Sequence, residues 1–193
     1  QFPIIKEILK NLAIEIYEID GFEADDIIGT VANLCEKEGI EVYIVTGDKD
    51  ALQLASDNIN VIITKKGVTE TAEYNKQAFI DEYGITPKQF IDVKGLMGDK
   101  SDNIPGVPGV GEKTAFKLIQ TYGSIEDVLK NVENVNGKKL KENLEEYSEQ
   151  ALFSKKLATI ITEVPIDINL DEIRSNENFN KEALKEQLIK LEM

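Results

Sequence analysis

The segment VYIVTGDKDALQL, Val42 to Leu54, decides the fold class. Its first five residues form a compact β-branched run that reads as a buried strand. Gly47 ends the run, carboxylates follow at Asp48 and Asp50, and Asp50 to Leu54 has the spacing of a short helix. Upstream, Glu23 to Glu38 is helical, with Ile27, Ile28, Val31, Leu34 and Cys35 on one apolar face and Gly39 as its stop. Downstream, Ile59 to Thr64 reads as a second strand. Strands and helices alternating in this way predict an α/β core with a parallel sheet and crossover helices. Nearer the start, Pro3 with Ile4, Ile5, Ile8, Leu9 and Leu12 predicts a helix, and alternation around Ile14 and Ile16 predicts a short strand.

After Thr71 the pattern becomes helical. Asn75 caps a helix ending at Gly84, and Thr86-Pro87 opens another that runs to about Met97. A glycine- and proline-rich segment, Gly98 to Gly111, leads into a helix from Glu112 to Tyr122, stopped by Gly123. Ser124 caps the next helix. Asn136 to Ser154 is charged and helical with Lys138, Lys139 and Lys141 clustered, Leu157 to Ile161 reads as one more strand, and an amphipathic helix follows Asn180 on Leu184, Leu188 and Leu191.

The chain has 193 residues, 36 acidic and 22 basic, for a formal net charge of −14. With 41% hydrophobic and 30% charged residues it has the composition of a globular protein able to bury a core. The single cysteine, Cys35, reads as core; it excludes an intramolecular disulfide and a Cys-based zinc site. There is no histidine, which removes Ser-His-Asp and Cys-His pairs and the common zinc ligand sets. A metal here is held by oxygen, which points to Mg²⁺, Mn²⁺ or Ca²⁺. No stretch reaches the ~18 apolar residues of a membrane span and no signal peptide is visible, so the expectation is a cytoplasmic protein. The chain begins at Gln1 rather than Met, as a piece of something longer does.

Three acidic clusters carry the chemistry. Glu23, Asp25 and Asp26 open a helix, Asp48 and Asp50 follow the most apolar strand, and Asp99 and Asp102 lie in the loop before the Pro/Gly segment. Each has a plainer alternative: dipole stabilisation of a first turn, a helix cap, a solvated loop. Together they are harder to explain in those ways. Two carboxylates ~5 Å apart repel by roughly 3 kcal/mol at an effective dielectric of ~20, and a fold accepts seven mainly when a cation offsets the charge. Ligands in open α/β sheets sit at the carboxyl ends of strands, where Asp48 and Asp50 fall. If the clusters converge, they form a Mg²⁺ site suited to phosphoryl chemistry.

The most specific signal is IPGVPGVGEKTA, Ile104 to Ala115. Gly109 and Gly111 flank Val110 immediately before a helix, so backbone N–H groups and the helix dipole can face a phosphate without reading sequence. Val110 tucks into the core, while Lys113 and Lys117 follow on the helix. The GK[ST] ending of a nucleotide-binding P-loop is absent, since Glu112 separates Gly111 from Lys113. The alternative is a structural turn between helices.

EADDIIGT (23–30), YIVTGDKDALQL (43–54) and GLMGDKSDNIPGVPGVGEKTAFKLI (95–119) resemble the family of 5′-nuclease, or 5′-3′ exonuclease, domains of bacterial DNA polymerase I, in the flap-endonuclease superfamily. The likeness covers residues 1 to about 173. It implies a PIN-like nuclease core over 1–74, a helix–hairpin–helix DNA-binding region over 75–173, and a C-terminal helix or linker toward a polymerase part over 174–193. It implies two Mg²⁺ or Mn²⁺ ions: Glu23, Asp25, Asp26 and Asp48 correspond to ligands of the first, Asp50, Asp99 and Asp102 to those of the second, with catalysis resting on Asp48, Asp50, Asp99 and Asp102. The hairpin residues matching its DNA grip are Gly106, Val107, Gly109, Val110, Gly111, Lys113, Thr114 and Lys117, with a K⁺ ion often held there.

The resemblance further implies removal of 5′ flaps and RNA primers during replication and repair. The partners are then duplex DNA with a flap, nick or gap, the RNA primer, and polymerase domains of the same parent chain, with no membrane. Family members begin with a strand carrying a metal-site aspartate, then a basic arch; neither precedes Gln1 here. The alternative is therefore a truncated, catalytically incomplete module that binds duplex DNA; a third reading, less suited to the hairpin, is a PIN-type ribonuclease. With seven ligands set aside the net charge of −14 becomes −7. Lys65, Lys66, Lys100, Lys113, Lys117, Lys138, Lys139 and Lys141 supply a local basic track, so binding by this piece is expected to be weak and salt-sensitive.

Overall fold

A computed structural model describes residues 2–67, 69–171, 173 and 179–192, the Lys66 side chain excepted. Among these the elements run α1 (Phe2–Asn11), α2 (Ala24–Lys37), β1 (Val42–Thr46), a 3₁₀ helix (Lys49–Leu54), β2 (Ile59–Lys66), β3 (Glu70–Tyr74), α3 (Lys76–Tyr83), α4 (Pro87–Met97), α5 (Glu112–Tyr122), α6 (Ile125–Lys130), α7 (Lys138–Glu146), α8 (Ser148–Leu157) and α9 (Lys181–Lys190), with a 3₁₀ turn at Val132–Asn134. No helix of the described residues is long and apolar enough to cross a membrane.

Local chemistry sets most boundaries. Asn75 accepts the Ala78 N–H, Thr86 forms a capping box with Gln89 ahead of Pro87, and Ser124 accepts the Asp127 N–H. Glu23 and Asp26 close a second capping box on α2. β1 pairs parallel with β2, Val42 opposite Ile59 through Thr46 opposite Ile63. β3, unforeseen in the sequence, pairs antiparallel with β2.

One core joins sheet and helices. Val61, Phe79, Val93, Ile119, Ile125, Val128 and Leu144 are fully buried within it. An aromatic chain ties α3, α4 and α5 together: Phe79 meets Phe90 edge-on at 5.6 Å and Tyr83 stacks on Phe116 at 5.4 Å. α1 buries no residue, and α9 lies against it, with Asn11 Nδ2 donating to Gln187 Oε1 at 2.8 Å.

Several sequence expectations are corrected. Ile14 to Ile16 is not a strand: the sheet of the described residues has three strands, and Ile14 is exposed with no ladder partner. β1 is not fully buried, because it is the sheet's edge; Tyr43 and Val45 are exposed. Asn136 to Ser154 is helical as read, in two helices that meet at Tyr147. Leu157 to Ile161 is not a strand either, since α8 runs to Leu157 and the backbone beyond bonds to side chains. Gln53 receives the Ile160 N–H and donates to the Ala158 carbonyl, both at 3.0 Å, and Asp26 receives the Ile161 N–H at 2.7 Å. Cys35 and Leu34 are half-buried and Ile28 is exposed, because α2 packs through Asp26, Ile27, Gly29 and Ala32. Lys66, Arg174–Asn178 and Met193 carry parts of the sequence expectations that lie outside the described side chains and residues.

Candidate functional site

The carboxyl end of β1 delivers Asp48. Its N–H donates to Thr46 Oγ1 at 3.0 Å, and its Oδ1 accepts the Asp50 N–H at 2.9 Å, so Asp48 caps the 3₁₀ helix and sets the direction of Asp50. From the other side, the first turn of α2 brings Glu23, Asp25 and Asp26. These five line one cleft of about 280 Å³ with Asp102 and the 157–160 segment. Asp99 adds to the set, since one oxygen each of Asp50, Asp99 and Asp102 lies within 4.8 Å of the others. All seven carboxylates singled out in the sequence therefore converge. An all-oxygen donor set at that spacing fits a hard divalent cation.

The seven are not equivalent. Asp26 is buried, and both its oxygens hold backbone: Oδ2 accepts the Glu23 N–H at 3.2 Å and Oδ1 the Ile161 N–H. It fixes the wall of the cleft. Asp48 and Asp102 are exposed, and Asp25, Asp50 and Asp99 half-buried.

Lys94 was missed by the sequence reading. It is 5% exposed, and its ammonium lies between Asp50 Oδ1, at 2.6 Å, and Asp99 Oδ2. The available signal was a lysine inside the apolar run VKGLM, five residues before Asp99.

These contacts shift the acids in opposite directions. Burial pushes Asp25 up, with Asp26 and Glu23 adding to it. Burial also pushes Asp50 up, outweighing Lys94. Asp99 is held down to about 2 by Lys94 and then Ser101. Burial opposes the Lys94 charge, yet Asp50 and Asp99 outweigh it and raise its pKa.

A depressed folded pKa means the Asp99 charge stabilises the fold above its ordinary 3.8 and that this stability fades as pH falls toward 2. Asp25 and Asp50 do the reverse: their charges weaken the fold at neutral pH, and the weakening lifts as they take up protons. In metal-free buffer Asp99→Asn thus melts below the parent at neutral pH, and the gap closes between about pH 4 and 2. A melting series measures this; a gap constant down to pH 2 contradicts it.

The hairpin follows directly. Asp99 and Ile104 exchange backbone hydrogen bonds at 2.7 and 2.9 Å, which folds the Asp99–Asp102 loop back on itself. The N–H groups of Gly106 and Val107 are spent inside the fold, on Ser154 Oγ (3.1 Å) and the Leu96 carbonyl (2.7 Å), so neither offers its N–H to an outside phosphate. Val110 is a buried anchor with its N–H on Val107, as its apolar side chain foretold. Gly109, at φ +80, and Gly111 remain exposed, and a Cβ on Gly111 would meet nothing within 4 Å. Gly111 caps α5 without a side chain, leaving the first-turn N–H groups to an outside acceptor. Lys113, Thr114 and Lys117 border a groove of about 360 Å³ that also meets Asn134 and Asn136. Lys65, Lys100, Lys138 and Lys139 are exposed; Lys141 donates to the Glu133 carbonyl. A second groove runs from Asp48, Asp50 and Asp99 to Glu112 in the first turn of α5, joining the acidic cleft to the hairpin helix.

Comparison with known proteins adds the following. Residues 1–84 match the 5′-3′ exonuclease N-terminal resolvase-like domain and residues 85–181 the 5′-3′ exonuclease C-terminal SAM fold. DNA polymerase I of Bacillus caldotenax is 52% identical over 173 residues, 90% of this chain and 20% of that protein. DNA polymerase I of Bacillus subtilis (strain 168) is 52% identical over 184 residues, 95% of this chain and 21% of that protein. The chain spans about a fifth of the length of the curated relatives it matches. Among solved structures, T5 5′-exonuclease with bound divalent metal ions (zinc) superposes with a TM-score of 0.65 at 26% identity, over 90% of this chain and 61% of that one. The catalytic core of Rad2 in complex with DNA substrate gives 0.57 at 17% identity, over 98% and 69%, a likeness of fold alone.

Proposed function

The chain belongs to the 5′-3′ exonuclease family, and from that premise we propose that it is the structure-specific 5′-nuclease module of a DNA polymerase I, hydrolysing phosphodiesters at 5′ flaps and RNA primers with Mg²⁺ or Mn²⁺. The carrying observation is the convergence of Asp50, Asp99 and Asp102 to within 4.8 Å from segments some fifty residues apart, with Asp50 and Asp99 also lining a groove that continues to the hairpin helix. A charge concentration of this kind, built from separate elements and opened to solvent, suits cations and the phosphates they neutralise.

Glu23, Asp25 and Asp48 would hold one divalent ion, with Asp26 fixing the wall behind them; Asp50, Asp99 and Asp102 would hold another. A bound ion supplies Lewis-acid stabilisation of phosphate charge and activation of water. The chain's own residues do the rest. Asp48 aims Asp50 through its cap, and the Asp99–Ile104 pair fixes the loop that carries Asp102. The exposed Gly109 and Gly111, the first-turn N–H groups of α5, and Lys113 and Lys117 hold the duplex backbone at a distance from the cut that the packing of α4 on α5 sets. A K⁺ ion at the hairpin belongs to the same proposal.

One observation favours the non-cleaving reading: β1, whose carboxyl end leads to Asp48, is an exposed edge with Tyr43 and Val45 beside an apolar groove. Incubating the chain with a 5′-labelled flap duplex in Mg²⁺, Mn²⁺ or EDTA decides between the two. Metal-dependent cutting near the junction is expected. Duplex binding without cutting under either metal would leave only the DNA grip, and preferential cutting of single-stranded RNA would move the chain to a ribonuclease role.

A further inference from the structure

A carboxylate cleft that only gathered cations would have no use for a lysine inside it. Lys94 is nevertheless anchored there. Val93, Gly95 and Leu96 beside it are buried, and α4 runs so close to α8 that a Cβ on Gly95 would lie 2.9 Å from Lys155 Cα. The helix has no room to slide and withdraw the side chain. The ammonium bonds Asp50, from the 3₁₀ helix, and Asp99, from the loop after α4, which are two of the three carboxylates in the tight cluster.

We propose that Lys94 is a built-in counter-cation of the Asp50–Asp99–Asp102 cluster, holding it assembled before metal arrives and weakening its hold on a divalent ion. The first half follows from burial, because an ammonium out of water persists only with paired anions, and its two partners are thereby fastened together across elements. The second half follows from charge: an ion entering among these oxygens meets a positive group 2.6 Å from one of them and shares that ligand with it. Lys94 is a positioning residue, touching the carboxylates rather than the phosphate. The metal half rests on the nuclease reading above; the assembly half does not.

The test is a double-mutant cycle on the full chain with Lys94→Met, Asp99→Asn and both, melted in EDTA and titrated with Mn²⁺. In EDTA, Lys94→Met is expected to lower the melting temperature by roughly 5 °C or more. Asp99→Asn changes sign with background, destabilising when Lys94 is present and stabilising when it is absent, because the charge it removes is paired in one case and repelled in the other. Mn²⁺ dissociation from Lys94→Met tightens by at least roughly tenfold. Should Lys94→Met fail to fold without metal, recovery on adding Asp99→Asn is the same reversal, and no recovery overturns the proposal. It is equally overturned by Asp99→Asn acting alike in both backgrounds, or by unchanged Mn²⁺ affinity, which would make Lys94 a structural strut. Mn²⁺ binding with the expected reversal but without flap cleavage would sink the nuclease reading alone.

Discussion

Asp48→Asn leaves the fold intact and loses at least about 100-fold of metal-dependent flap cleavage, the scale on which disturbed metal shells lose activity. The two effects separate because Asp48 does two jobs with different chemistry. As a cap it needs only an oxygen for the Asp50 N–H, 2.9 Å away, and the asparagine carbonyl supplies one equally well. As a ligand it needs its charge, which asparagine lacks. The same charge pushes up the pKa of both Asp25 and Asp50, so its removal relieves repulsion in the empty cleft. The variant therefore melts at or slightly above the parent in EDTA, a stability gained where function is lost. Initial rates at saturating Mn²⁺ beside EDTA melting curves measure both; in a chain that binds without cutting, Mn²⁺ affinity replaces the rate. Undiminished cleavage would remove Asp48 from the ligand set, and a large fall in melting temperature would refute the cap assignment.

What could be read in advance was what neighbouring residues decide among themselves. Asn75, Thr86 and Ser124 announced their helices because a cap is a contact over three residues. The seven carboxylates announced a site because their residue type is costly to cluster and their positions fall at element ends. Contacts made across the fold left no such trace. The β3 segment ETAEY looks like polar turn sequence and becomes a strand only because β2 offers it a ladder. The 157–161 segment has strand-like alternation, yet its backbone groups found Gln53 and Asp26 instead. Lys94 reads as one more helical lysine until the 3₁₀ helix brings Asp50 to it. Gly106 is the sharpest case: the family resemblance put it among the DNA-grip residues, and nothing near it in sequence announced that the fold needs it where the chain crosses itself.

That crossing carries the second large effect. Gly106→Ala is expected to cost about 3–5 kcal/mol, which lowers the melting temperature by roughly 10 °C in a chain of this size. A Cβ there would lie 2.3 Å from the Gly98 nitrogen and 2.5 Å from the Met97 carbonyl carbon, at φ +60. These are backbone atoms, so no rotamer change relieves the overlap. Gly98 meets the same segment from the other side, its Cβ position 2.5 Å from the Ile104 carbonyl oxygen, so neither strand of the crossing can yield to the other. The Asp99–Ile104 pair, closed between those glycines, must open, and Asp99 and Asp102 then leave Asp50. Mn²⁺ binding falls along with stability. Gly111→Ala is the contrast, since its Cβ meets nothing within 4 Å and its φ of −96 suits any residue. It keeps the parent's melting temperature and weakens duplex binding only if a phosphate approaches the α5 N-terminus. Melting curves, Mn²⁺ titration and duplex binding on the two variants separate a glycine that the loop needs from a glycine that the DNA needs. A Gly106→Ala protein as stable as the parent would show that the crossing does not hold the acidic loop in place.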